Sequence, residues 1–218
     1  MASLLSSGDQ TLAQITQYYS TSADLSFDNS YYFASDSYGY GGYESFKVYY
    51  WNTTTSSWEQ KYYQEKAQTN FGHQIACTWD GDRFVVGSPD ENKVYVYHSP
   101  GGSGSQKWTH NASGVVTSPT VYTITCPDSS TTGRRFGWSV SIAKDQGNHI
   151  IIGAPGDFTQ SDSDGQKRGK VYIYEFNGST WSKTFEKTAD QANTDCDGNT
   201  GNNACVYQPQ VQRYPSAT

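Results

Sequence analysis

The chain has 218 residues, of which 34% are hydrophobic, 15% aromatic and only 17% charged, with a net charge of −6. That length suffices for one sizeable core or a short row of repeated units, and the 18 Tyr and 6 Trp exclude a wholly disordered chain. The acidic balance argues against a nucleic-acid binder, whose affinity comes mainly from neutralised phosphates, and no apolar run approaches the roughly 18 residues that cross a bilayer.

Residues 1–21 form an N-terminal segment, and its start, Met1 to Gln17, holds neither a basic stretch nor an apolar core, so it does not read as a secretory leader. From residue 22 onward one pattern recurs. In the first copy, residues 22–70, Asp28-Asn29 marks a turn, Tyr31 to Ala34 an apolar run, and Lys47-Val48-Tyr49-Tyr50 a further strand. The second copy, residues 71–135, opens on Phe71-Gly72 and turns at Asp80-Gly81-Asp82. It then runs through Phe84-Val85-Val86 to Gly87-Ser88-Pro89 and on to Lys93-Val94-Tyr95-Val96-Tyr97. The third, residues 136–190, keeps the order: Phe136-Gly137, Gln146-Gly147-Asn148, His149-Ile150-Ile151-Ile152, Gly153-Ala154-Pro155 and, past an insert, Lys170-Val171-Tyr172-Ile173-Tyr174. A tryptophan follows each Val-Tyr strand: Trp58, Trp108 and Trp181. Residues 191–218 are a polar tail containing Cys196 and Cys205.

Val or Ile alternating with Tyr sends aliphatic side chains to one face of a strand and tyrosines to the other. Short apolar runs bounded by glycine read as strands buried on both faces, joined by turns whose glycines accept positive φ. The pattern predicts an all-β fold with about four short antiparallel strands per copy. One such sheet cannot bury both faces. Packing copies around an axis, as β-propeller blades do, solves that problem. The Gly-Ser-Pro and Gly-Ala-Pro elements then let neighbouring blades approach closely, and proline ends the ladder. Three copies in one fixed order disfavour a β-sandwich.

The set Phe136-Gly137, Gly153-Ala154-Pro155 and Val171-Tyr172-Ile173-Tyr174 resembles an FG-GAP repeat, the blade type of the integrin α-subunit head. A weaker version stands at Phe71-Gly72, Gly87-Ser88-Pro89 and Val94-Tyr95-Val96-Tyr97. The stretch from Thr125 to Arg135 is similar to the family's loop before the FG pair. The short turns resemble a subtype common in surface and secreted proteins of bacteria, algae and large viruses. The resemblance implies a β-propeller scaffold for extracellular recognition or adhesion, on a cell surface or a virion. Integrin-type blades often carry an Asp-rich calcium loop. Here Asp80-Gly81-Asp82 and Asp145-Gln146-Gly147-Asn148 hold too few ligands for a cation that takes about six to eight oxygens. A closed ring needs four or more blades. Three copies therefore imply part of a larger ring, an open row, or a unit completed by self-association.

Candidate sites are few. Calcium could be held by Asp157, Asp162 and Asp164 in the third copy's insert. A second candidate is Asn193, Asp195 and Asp197 beside Gly198, spaced as in an EF-hand loop whose closing position is here Ala204. Solvated acidic turns are the competing account of both. Cys196 and Cys205 bracket a short polar loop suited to a disulfide, leaving Cys77 and Cys126 as a second pair or as buried thiols. Asn52, Asn111 and Asn177 head glycosylation sequons, used only along a eukaryotic secretory route. Tyr38, Tyr40 and Tyr43, among Gly39, Gly41 and Gly42, form either an adaptable ligand-binding surface or filling between blades. His73, His98, His110 and His149 stand in no metal or triad motif, and no catalytic signature is present, so no enzymatic activity is expected. The expectation is a module that recognises a protein or glycan. The alternative is a structural subunit of a shell or filament, joined through exposed sheet edges. Neither nucleic acid nor membrane insertion is expected.

Overall fold

The computed structural model describes residues 20–36, 43–67, 70–128, 135–155 and 169–188. Twelve strands in this region form three separate antiparallel sheets, each with its strands in chain order. Blade 1 holds β1 (Ser20–Leu25), β2 (Tyr31–Asp36), β3 (Tyr43–Asn52) and β4 (Ser57–Ala67). Blade 2 holds β5 (Ile75–Cys77), β6 (Arg83–Ser88), β7 (Lys93–His98) and β8 (Thr120–Thr125). Blade 3 holds β9 (Ser139–Ile142), β10 (His149–Ala154), β11 (Lys170–Phe176) and β12 (Trp181–Thr188). The first strands lie innermost, β1 beside β5 and β5 beside β9.

The repeated residues repeat their contacts. Asn29, Gly81 and Gly147 adopt φ of 57°, 67° and 64° and turn the first hairpin of each blade. Phe71 and Phe136 are both fully buried. Each meets the first tyrosine of its own Val-Tyr strand edge-on, Phe71 with Tyr95 at 5.6 Å and Phe136 with Tyr172 at 5.2 Å. The glycines after them have φ of 87° and 94°. Their N–H groups donate to the second motif glycine of the same blade, Gly72 to the Gly87 carbonyl at 2.9 Å and Gly137 to the Gly153 carbonyl at 3.2 Å. Across the joint between blades 2 and 3, a Cβ at position 87 would stand 2.0 Å from the Gly137 carbonyl oxygen. The motif glycines therefore serve both a positive-φ corner and a close backbone approach between blades. Two such unrelated constraints explain why the pattern is written in glycine.

The facing sides of adjacent blades pack on one another. Tyr31, Phe33, Phe46 and Val48 of blade 1 pack on Phe71, Ile75, Cys77, Phe84, Val86, Tyr95 and Tyr97 of blade 2. Phe84 lies 5.2 Å from Phe33 and 4.8 Å from Phe46. The second joint is aliphatic on the blade 2 side: Val85, Val94, Val96 and Ile124 meet Val140, Ile142, Ile150, Ile152, Tyr172 and Tyr174. The alternation along β6 and β7 thus feeds two cores at once, as expected for a sheet covered on both faces. Each fully buried aromatic or branched side chain contributes about 1.5–3 kcal/mol. Polar links repeat too. Phe27 N–H donates to the Trp79 carbonyl and Trp79 N–H to the Lys144 carbonyl, both at 2.7 Å, so equivalent turn residues form a ladder from blade to blade. Ser22 and Gln74 hold equivalent places as well. Ser22 Oγ accepts the Ile75 N–H at 3.1 Å, and Gln74 accepts the Val140 N–H at 2.9 Å.

One repeated residue does not share a place. Trp58 and Trp181 lie in the outer strands β4 and β12, but Trp108 follows a 3-10 turn at Gly104–Gln106 in a long excursion between β7 and β8. It is buried against Phe33 and Phe84 in the first joint, and its Nε1 donates to the Gly81 carbonyl at 3.0 Å. Cys77 and Cys126 belong to different joints and are not bridged to each other.

Candidate recognition groove and the predicted site residues

Where blades 2 and 3 meet near the outer strands, a groove of about 350 Å³ is lined by Tyr122, Thr123, Ile124, Thr125, Tyr174, Thr180 and Trp181. Strand β8 supplies one wall. Tyr174 and the β11–β12 turn supply the other, so the groove exists only because two blades are packed side by side. Its size lies at the small end of the roughly 300–1,000 Å³ typical of ligand clefts. Tyr174 is buried and Tyr122 and Trp181 are half-buried, while Thr123, Thr125 and Thr180 are exposed. Aromatic surface beside hydroxyls suits a ligand with an apolar face and a hydroxylated rim.

The aromatic wall is braced from behind. His98 lies 4.7 Å from Tyr122 and 4.9 Å, edge-on, from Phe176, and Phe176 lies 5.2 Å from Trp181. The Arg83 guanidinium sits 5.0 Å over the Phe176 ring. Its Nη1 also donates to Asn148 Oδ1 at 2.6 Å and to the Gln146 and Gly147 carbonyls at 3.1 Å, tying blade 2 to the blade 3 turn. Burial, with the Arg83 charge adding to it, pushes the His98 imidazole down to about 4, so the ring is neutral near pH 7. His98 Nε2 and Trp181 Nε1 are buried atoms with no hydrogen-bond partner.

Nearer the inner strands, Lys144 of blade 3 reaches Asp24 of blade 1 at 2.6 Å and the Cys77 carbonyl of blade 2 at 2.9 Å. One ammonium thus joins three blades. Burial alone would raise the Asp24 pKa. The Lys144 bonds and the Cys77 and Leu25 amides outweigh it and hold the carboxyl below its usual value.

The residues singled out from sequence are distributed as follows. Tyr38 and Tyr40, the acidic candidates Asp157, Asp162, Asp164, Asn193, Asp195 and Asp197, and Cys196 and Cys205 all lie outside the described residues, and Tyr43 begins β3. Asn52 and Asn177 flank the β3–β4 and β11–β12 turns. Both, like Asn111, accept backbone N–H bonds within their own turns. Asn52 Nδ2, the atom a glycan would occupy, is hydrogen-bonded to Glu59 at 2.6 Å, whereas Asn177 is exposed. In the Asp80-Gly81-Asp82 turn, Asp80 accepts Thr78 Oγ1 and the Asp82 N–H, and Asp82 pairs with Lys107 at 2.6 Å. Among the described residues no cluster of three metal-ligating side chains forms, and no helix is long and apolar enough to cross a membrane. The Tyr122–Trp181 groove was not marked by any motif. The only available signal was a Trp following the Val-Tyr strand of the third copy.

Comparison with known proteins places the chain. A sequence model of the FG-GAP repeat matches residues 121–174, from β8 through most of β11. No curated protein matches the chain. Its fold is similar to that of Sqt1 from Saccharomyces cerevisiae, at 10% identity and a TM-score of 0.50 over 83% of this chain and 40% of that one. The β-propeller domain of Cps50 (Swd1) from Myceliophteria thermophila aligns over 85% of this chain and 47% of its own, at 13% identity and a TM-score of 0.46. A periplasmic gluconolactonase from Pseudomonas aeruginosa aligns over 80% and 43%, at 15% identity and a TM-score of 0.45. The chain thus spans less than half the length of these structures. Residues 121–174 carry an FG-GAP repeat, and the three sheets are β-propeller blades.

Proposed function

We propose that this FG-GAP propeller module is a non-enzymatic recognition unit displayed on a cell or virion surface, and that it binds a glycan in the groove between blades 2 and 3. The observation that carries the reading is the pairing of Tyr122 and Trp181 from adjacent blades beside the Thr123, Thr125 and Thr180 hydroxyls. Flat aromatic faces stack on the apolar face of a sugar ring while nearby hydroxyls exchange hydrogen bonds with its rim. In this reading the ligand is held and released unchanged; among the described residues the groove's lining has no titratable group apart from the tyrosines.

The test is a glycan array probed with the full chain, followed by titration of the best ligand against Trp181→Ala and Thr180→Ala. The reading expects retention of at least one glycan class, a tenfold or greater loss with Trp181→Ala, and a smaller loss with Thr180→Ala. An array without retained glycans, or binding indifferent to both changes, would falsify it. Release of hydrolysis product during the titration would overturn the non-enzymatic part.

A further inference from the structure

The two ends of the blade row are the two halves of a joint that the molecule already makes twice. On blade 2, Val85, Val94 and Val96 are each 0% exposed because blade 3 covers them. Strand register places Ile151, Val171 and Ile173 at the same positions of blade 3: Val96 pairs with Val85 as Ile173 pairs with Ile151, and Val94 with Gly87 as Val171 with Gly153. Phe185 lies opposite Ile173 on β12. There Ile151 is 50% exposed, Val171 43% and Phe185 49%. The opposite end is aromatic. Blade 1 carries Tyr32, Ala34 and Tyr49 at the positions that in blade 2 are Phe84, Val86 and Tyr97, the side that receives a preceding blade. Tyr32, Tyr49, Trp51 and Trp58 pack together there as a satellite cluster, with Tyr32 and Trp51 half-buried. The backbone ladder from Phe27 through Trp79 to Lys144 can continue only into a further blade.

We infer that the exposed face of blade 3 is a docking surface for blade 1 of a second copy of this chain. The docking is head to tail, so two three-bladed rows close a six-bladed ring. The second copy is the occupant because it presents the receiving half of the same joint, and the new contact continues the interface already built between blades 1 and 2 and between blades 2 and 3. Six blades fall within the roughly four to eight of closed propellers. A heterologous contact of this kind ends in a ring when its rotation closes and in a filament when it does not. Joining faces also leaves the outer strands free, so this association differs from pairing through sheet edges.

Sedimentation velocity of the full chain over a wide concentration range tests it. The ring predicts a reversible species at twice the 24.2 kDa chain mass. Ile151→Lys and Val171→Lys alter side chains already half in water, so each keeps the monomer's β-sheet spectrum and unfolding midpoint while weakening the dimer at least tenfold. Tyr32→Lys, at the other end, weakens it likewise. Mixing Ile151→Lys with Tyr32→Lys restores dimer, because one joint of the mixed pair then has both halves intact. A monomer at every concentration gives the face to some other occupant, such as a further blade, and overturns the proposal. So do an open series of higher oligomers, a dimer indifferent to Ile151→Lys and Val171→Lys, and a mixture that fails to recover.

Discussion

Lys144 and Asp24 are 120 residues apart, and only a radial packing of three blades brings them together. Replacing Lys144 by Met keeps the stem and removes the ammonium, leaving Asp24 with two amide donors and the Cys77 carbonyl without the lysine. The side chains are 39% and 26% exposed. An exposed ion pair contributes about 0.2–1 kcal/mol, and a hydrogen bond to a charged group about 1.5–3 kcal/mol. Discounting for solvent contact puts the loss for Lys144→Met at about 2 kcal/mol, of which about 1 kcal/mol is coupling to Asp24 and the rest is the bond to the Cys77 carbonyl. A double-mutant cycle with Asp24→Asn, read by urea unfolding, isolates that coupling. The folded-state pKa of Asp24 lies below its unfolded value. The coupling is therefore fully present above the unfolded carboxylate range and is lost as pH falls through the lower folded value. Coupling below about 0.3 kcal/mol at neutral pH, within the usual additivity error, would refute the claim that this lysine fastens blade 3 to blade 1.

Gly87→Ala should cost about 3 kcal/mol, the upper range for overpacking, because its Cβ would meet the Gly137 backbone. Gly153→Ala should cost less than about 1 kcal/mol, because the clash there is with the movable Ser139 hydroxyl; urea midpoints check both, and equal costs would contradict an uncovered third blade. The His98 pKa of about 4 in the fold lies below an unfolded value near 6.5, so the unfolded chain binds more protons between these limits. Stability should fall on acidification through that window by about 1–2 kcal/mol after discounting for solvent contact, and His98→Gln should flatten the dependence in a pH series of unfolding curves. Burial pushes the Cys77 thiol well above its ordinary range, so in native protein it should resist a thiol reagent that labels it rapidly in denaturant; fast native labelling would contradict its place in the first joint.

The blades were legible because their constraints are local. In blades 2 and 3 a phenylalanine, a positive-φ glycine and a close-approach glycine sit at fixed distances along the chain, and the Val/Tyr alternation states which face meets which neighbour. Trp108 misled for the converse reason. Its spacing from the Val-Tyr strand matches that of Trp58 and Trp181, but the excursion after β7 carries it into the first joint, and no local pattern encodes that return. The groove was hidden because Tyr122 and Trp181 belong to different blades, and only the lateral packing of β8 against blade 3 brings them together. The Lys144–Asp24 link was invisible likewise, since a single lysine in a turn carries no sign of its partner.

The measurement closest to the heart of the account is a set of nuclear Overhauser contacts between labelled aromatic side chains. Radial blades predict cross-peaks between Phe33 and Phe84, whose rings lie 5.2 Å apart across the first joint, and between His98 and Phe176, 4.9 Å apart across the second. Absence of either, or a cross-peak joining Phe33 of the first joint to Phe136 of the second, would contradict it.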